Sequence, residues 1–160
     1  MSLAPSLDWQ LLTFDALTTR QLHDLLQLRS AVFVVEQTCV FQDVDGADLQ
    51  ALHLLGSHAG QLLAYARCFE AGVKYPEVSI GRVVTDPAHR GNGLGHALIR
   101  RALQAVAQQW GPQPVRIGAQ ARLERFYASH GFVDANRPDI EDGIDHLEMV
   151  WHPIHSGAIE

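Results

Sequence analysis

Ile80-Gly-Arg-Val-Val-Thr-Asp-Pro-Ala-His-Arg-Gly-Asn-Gly-Leu-Gly-His-Ala-Leu-Ile99 is the stretch whose reading decides the fold. Val78 to Thr85 is rich in β-branched residues and reads as a strand. Asp86-Pro87 ends it, because proline lacks a ladder donor and restricts the residue before it. Arg90-Gly-Asn-Gly-Leu-Gly95 follows and runs directly into Leu94, Ala97, Leu98, Arg101, Ala102, Ala105 and Val106, which recur at helical spacing. The glycines therefore stand at a helix N-terminus. Inside a helix each would cost about 1 kcal/mol relative to alanine. Their use is close backbone approach: uncapped N–H groups and the positive end of the helix dipole converge on an anion, with Arg90 adding a full charge. A glycine-rich turn without a ligand is the plainer alternative. Strand, break, arginine, glycines and helix in this order favour a phosphate.

The spacing also says which phosphate grips to set aside. A dinucleotide fingerprint needs a third small residue three positions beyond the second glycine, where His96 stands. The Gly-Lys-Ser/Thr ending of a magnesium-nucleotide loop is absent from the stretch.

The chain has 160 residues, 47% hydrophobic and 19% charged, which suits one ordinary domain with a buried core. The expected core is about 7–151, with 152–160 as a loose tail. A net charge of −6 speaks against nucleic-acid or anionic-membrane partners and is compatible with a cationic substrate. Cys39 and Cys68 form no metal spacing, and the polar start lacks a signal peptide, so a reducing cytoplasm is expected. The histidines show no zinc spacing, and no metal is expected. Asp43, Asp45 and Asp48 suggest calcium only superficially, since Leu54 stands where an EF-hand loop needs glutamate. An acidic turn is the better reading.

In order, the pattern predicts a strand over 9–14, a helix from about Arg20 to Val34, and a hairpin of 51–57 and 61–69 about Ala59-Gly60. After the central strand and long helix come a strand over 115–119, an amphipathic helix over 121–130 closed by Gly131, and a strand starting at Phe132-Val133. A loop over 136–143 and a last strand over 146–151 complete the chain. The fold class is α+β, or mixed α/β, with the strands over 78–85 and 115–119 as parallel neighbours joined by a crossover helix.

Arg90-x-x-Gly93-x-Gly95 resembles the acetyl-CoA pyrophosphate loop of the GNAT N-acetyltransferases. A second signature of that superfamily stands at the expected distance, in Arg125-Phe-Tyr127-Ala-Ser-His-Gly131-Phe132. Leu28-Arg-x-x-Val-Phe-Val-Val-Glu-Gln37, Asp43-Val-Asp-Gly-x-Asp48, Gly118-Ala-Gln-Ala-x-Leu123 and Glu141-Asp-Gly-Ile-x-His146 narrow the resemblance to the ElaA-type subfamily, over about 7–151. It implies a GNAT-like fold: a central mixed sheet of about six to seven strands flanked by helices, with a splayed parallel pair holding the cofactor. It also implies a cytoplasmic acyltransferase moving an acetyl group from acetyl-CoA to a small-molecule or peptide amine, and is compatible with a homodimer. A non-catalytic CoA-binding sensor or interaction domain on the same fold is the alternative.

Residue by residue, the resemblance assigns Val83, Val84 and Thr85 to the pantetheine arm and acetyl carbonyl. It assigns Arg90, Gly91, Asn92, Gly93, Leu94, Gly95 and His96 to the pyrophosphate, and Tyr127 to the CoA sulphur. Gln120 stands where many of these proteins carry a cofactor-binding asparagine. A base must also deprotonate the amine, and Glu77, Glu36 and His146 are the candidates. Arg29, Arg67 and Arg82 lie among apolar residues, where a buried charge needs a partner. They either grip a substrate carboxylate or pair with Asp45, Glu36 or Glu77.

Overall fold

The computed structural model describes residues 6–141 and 144–153, with backbone alone for 136–141. Seven strands form a single sheet in the order β1-β2-β3-β4-β5-β7-β6. These are β1 (Asp8–Thr13), β2 (Leu52–His58), β3 (Gln61–Phe69), β4 (Val78–Thr85), β5 (Val115–Gln120), β6 (Phe132–Glu141) and β7 (Ile144–Trp151). Among the described residues three α-helices accompany them: α1 (Thr19–Arg29), α2 (Leu94–Trp110) and α3 (Glu124–Ala128). No helix among the described residues is long and apolar enough to cross a membrane.

Strand alternation sorts the core into two layers. Leu54, Ala66, Cys68, Ile80, Ile117 and Met149 pack with Leu98, Ile99, Ala102 and Val106 of α2. Leu55, Tyr65 and Val84 face the other way, onto Leu25, Leu28 and Val32 of the first helical stretch. Each helix thus buries the apolar stripe that its sequence spacing announces.

Pairing between β4 and β5 is parallel but covers only Val78↔Val115 and Ser79↔Arg116. Beyond that point β5 keeps its ladder with β7 over all of 115–120, so β4 and β5 part. The expected splayed pair is present, and it opens a wedge in the sheet.

Three elements differ from the sequence reading. Helix α1 starts in a capping box between Thr18 and Gln21, but after Arg29 the backbone widens into a π-helix, Ser30–Glu36. Its Val32-Phe-Val-Val35 run is one that β-branching disfavours in a tighter helix. The helix expected over 121–130 divides into a 3-10 turn at Ala121–Leu123 and the short α3. Ser129 and His130 then close turn bonds onto Arg125 and Tyr127 before Gly131, whose φ of +97° ends the unit. The loop expected over 136–143 is instead strand β6 as far as Glu141, while Asp142 and Gly143 lie outside the described residues. Pro138 falls within this strand, and β6 is an edge strand of the sheet, where a missing N–H is tolerated. Of the expected loose tail, residues 154–160 also lie outside the described residues.

Candidate active site

The middle of β4 carries a backbone irregularity. Tyr65 pairs with Val84 and Arg67 with Gly81, so two steps along β3 face three along β4. The extra residue is accommodated at Arg82, whose φ of +50° is left-handed. Such a conformation in a long side chain costs about 1–3 kcal/mol and persists only where its surroundings enforce it. Here the guanidinium supplies the restraint. Arg82 Nε donates to Asp43 Oδ1 at 2.7 Å, and its charge lies 5.5 Å from the Phe41 ring centroid. The bulge turns β4 away from β5 and re-aims the backbone groups around Val83.

Behind the bulge lies an arginine–aspartate network. Arg29, fully buried, donates to Asp43 Oδ2 at 2.9 Å and Asp48 Oδ1 at 2.7 Å. Arg67 donates to Asp45 at 2.7 and 2.9 Å and to Asp48 at 2.9 Å. Burial works to raise the Asp48 pKa, but hydrogen bonds and charge from Arg29 and Arg67 outweigh it and hold the carboxyl below its usual value. The three carboxylates that suggested calcium are thus bound to guanidinium groups. The Arg67–Asp45 and Arg82–Asp45 pairings were among those expected, whereas the parts of Asp43 and Asp48 emerge only from the fold.

His53 fits under this network. Its Nε2 lies 2.9 Å from the Asp48 carbonyl, which can only accept, so Nε2 carries the proton and Nδ1 accepts from the Tyr65 hydroxyl at 2.6 Å. Burial lowers its pKa below the ordinary value.

The wedge forms a cleft of about 710 Å³. Val83, Val84, Thr85, Arg90, Gly95, Gln120 and Tyr127 all border it, as do Glu36 and His146. A second hollow, of about 330 Å³, adjoins it around Arg90, Gly91, Gly93, Leu94, Gly95 and His96. Gly93 caps α2 with φ +81° and no side-chain cap, and a Cβ on Gly91 or Gly93 would meet nothing within 4 Å. The helix start therefore borders a hollow left open by its glycines, as an anion cradle requires. Asn92 is not among the described residues bordering either hollow.

Tyr127 is buried against Phe126 and Phe132, at ring-centroid distances of 5.1 and 5.7 Å. Burial drives its pKa upward, keeping the phenol protonated. Gln120 donates to Gln37 and accepts from Arg122, both at 3.2 Å, which fixes its amide across the cleft. Arg122 and Phe126 also border the cleft and were not among the expected site residues, although Phe126 stands within the signature around Tyr127.

The three candidate bases stand in different places. Glu77 is clamped by Arg116 at 2.8 and 3.0 Å and is not among the described cleft residues. Glu36 borders the cleft but binds both terminal nitrogens of Arg90, which holds its pKa below the usual carboxylate value. His146 borders the cleft with Nδ1 2.8 Å from the Ile144 carbonyl. That acceptor fixes the proton on Nδ1 and leaves Nε2 with the lone pair.

Comparison with known proteins bears on the fold and the family. Residues 34–153 match the family model described as Acetyltransferase (GNAT) domain. The chain is 43% identical over 152 residues to Protein ElaA of Escherichia coli, covering 94% of this chain and 99% of that one. A crystal structure of an acyl-CoA N-acyltransferase from Pseudomonas aeruginosa superposes with a TM-score of 0.85 at 46% identity, covering 91% of this chain and 99% of that one. The crystal structure of E. coli ElaA gives a TM-score of 0.84 at 42% identity, with the same two coverages.

Proposed function

Because the chain belongs to the GNAT acetyltransferase family, and so to the acyltransferases, we propose that it transfers an acetyl group from acetyl-CoA to a primary amine within a ternary complex. The observation that carries this reading is the alignment of three features along one cleft. An uncapped, glycine-lined helix start lies at one end, a bulged strand in the middle, and a buried, protonated tyrosine beside it.

The chemistry assigned to these groups is as follows. Pyrophosphate oxygens of the CoA moiety accept from the N–H groups at the start of α2, and Arg90 exchanges Glu36 for phosphate. The acetyl carbonyl lies against the backbone at Val83 and Val84, where an N–H stabilises the oxyanion that forms as the amine attacks. One such donor is worth about 3–4 kcal/mol. The amine must first lose a proton, and His146 Nε2 is the group arranged to receive it, directly or through a water. Glu36 is less suited, because Arg90 holds its lone pairs. As the carbon–sulphur bond breaks, the Tyr127 hydroxyl gives its proton to the departing thiolate. A cytoplasmic setting accords with two buried cysteines that form no disulfide, of which Cys68 has its thiol pushed by burial up to about 12.

Calorimetric titration with acetyl-CoA, CoA and NADPH, followed by product detection with a panel of amines, tests the reading. Binding of the CoA compounds alone and acetylated amine as product are expected. CoA binding without transfer to any amine would instead make the domain a sensor, and absence of CoA binding would remove the phosphate cradle altogether.

A further inference from the structure

The far end of the cleft, away from the glycine loop, has a chemistry of its own. In the β3–β4 ladder Arg67 lies opposite Gly81, and Phe69 opposite Ser79. All four therefore share one sheet face. A Cβ on Gly81 would meet nothing within 4 Å, so this face is open at its centre. The Arg67 guanidinium lies 5.1 Å from the Phe69 ring centroid and Lys74 Nζ lies 5.7 Å from the same centroid. Two cations thus converge on one ring.

Two buried polar atoms here have no partner among the described residues. They are Arg67 Nε and Ser79 Oγ, on side chains only 3% and 2% exposed, and both residues border the cleft. A buried donor without a partner costs about 1–3 kcal/mol, a penalty that a bound acceptor atom removes. Just behind the cleft wall Asp43, Asp45 and Asp48 offset three of the four charges of Arg29, Arg67, Lys74 and Arg82, with Asp45 reaching Arg67 at 2.7 Å and Lys74 at 3.5 Å and Asp48 reaching Arg67 at 2.9 Å, which leaves one net positive charge. Glu77 and Glu148 are both turned onto Arg116 instead. On a chain of net charge −6 the described cleft residues include five cations (Arg67, Lys74, Arg82, Arg90, Arg122) and a single carboxylate, Glu36.

We propose that this end is an anion subsite for the acceptor, so that the amine acetylated here also carries a carboxylate. The proposal rests on the acetyltransferase reading above and names the substrate class for that site. Arg67 Nε and the Ser79 hydroxyl donate to the carboxylate oxygens, with Lys74 supplying charge from the rim. Phe41, Phe69 and Tyr75 enclose the chain between the two ends. At about 3.3 Å per residue, Gly81 and Ser79 lie roughly 7 and 13 Å along β4 from Val83. The amine and carboxylate are therefore several bonds apart, as in an ω-amino acid or a dipeptide, rather than on one carbon.

Three amines of matched length test this: ε-aminocaproate, hexylamine with a methyl in place of the carboxylate, and hexamethylenediamine with a second cation. The expected kcat/KM for ε-aminocaproate exceeds that for hexylamine at least tenfold, with the diamine poorest. In Lys74→Ala and in Ser79→Ala, neither of which removes a buried charge, the ratio of the first two falls toward one. Equal use of ε-aminocaproate and hexylamine by the wild type would overturn the subsite while leaving the acetyltransferase intact. An unchanged ratio in both variants would also overturn it. Absence of transfer both to these three and to every amine of a wider panel would sink the acetyltransferase reading itself.

Discussion

Glu36, at the end of the π-helix, and Arg90, at the entrance to the glycine loop, are joined by a two-pronged ion pair across the mouth of the cleft. They lie 54 residues apart in sequence. The pair occupies the guanidinium that flanks the glycine loop, so under the proposed function cofactor binding and this bridge compete for Arg90.

Replacing Glu36 by glutamine should release Arg90 and tighten CoA binding. An exposed ion pair is weak, so the gain in affinity should be up to about fivefold. It should shrink as salt screens the wild-type bridge. Calorimetry at low and high ionic strength reads both effects, and an unchanged dissociation constant would show that Arg90 does not reach the phosphates.

His146→Gln should lower kcat by about 100-fold, the lower range for loss of a general base, with CoA affinity retained. The rate should recover partly at high pH, where more of the amine is already neutral. A variant with wild-type kcat at neutral pH would return the role to a bound water or to Glu36.

Tyr127→Phe keeps the ring packing against Phe126 and Phe132 and removes only the hydroxyl. Turnover should fall about tenfold or more, while the cofactor dissociation constant stays within about twofold. Because burial holds the phenol protonated, its own ionisation should add no alkaline limb to the wild-type rate profile below about pH 10. Full activity in the variant across that range would exclude proton donation to sulphur.

Gly93→Val places a β-branched side chain at φ +81° and directs it into the space over the first turn of α2. CoA binding should be abolished, with a stability loss of about 1–2 kcal/mol from the left-handed backbone. Urea unfolding separates the two effects: a folded protein with intact CoA affinity would contradict the cradle.

The pH dependence of stability follows from His53. Its folded-state pKa lies below the ordinary 6.5 because burial favours the neutral ring. Below about pH 6.5 the unfolded chain binds the proton more readily, so unfolding free energy rises with pH in that window. The contribution is fully present above about 6.5 and is lost as pH falls through the folded pKa. Thermal melts between neutral and mildly acidic pH should show this slope, and NMR of the imidazole should place its titration below that of a surface histidine.

Much of the architecture is local and was readable along the chain. The glycine loop, the β4–α2–β5 unit and the hairpin about Ala59-Gly60 depend on near neighbours in sequence. Alternation, helical spacing and turn chemistry report these directly. The exceptions are informative: Pro138 is tolerated because β6 lies at the edge, a property of strand order rather than of its own residues. Likewise the Val32–Val35 run specifies a helix but not its width.

The sequence by itself determined the mixed α/β class and the glycine-rich helix start, because both are written in short-range periodicity and backbone chemistry, whereas Tyr127 stood out only through the resemblance to the GNAT signature. Only the tertiary structure decided the charge partners. Arg82 meets Asp43 from 39 residues away and Arg67 meets Asp48 from 19, and those contacts hold the strained bulge and seat Arg67 at the border of the cleft. Pairing of buried charges depends on which distant segments share a low-dielectric space, and that is fixed only when the sheet closes around them.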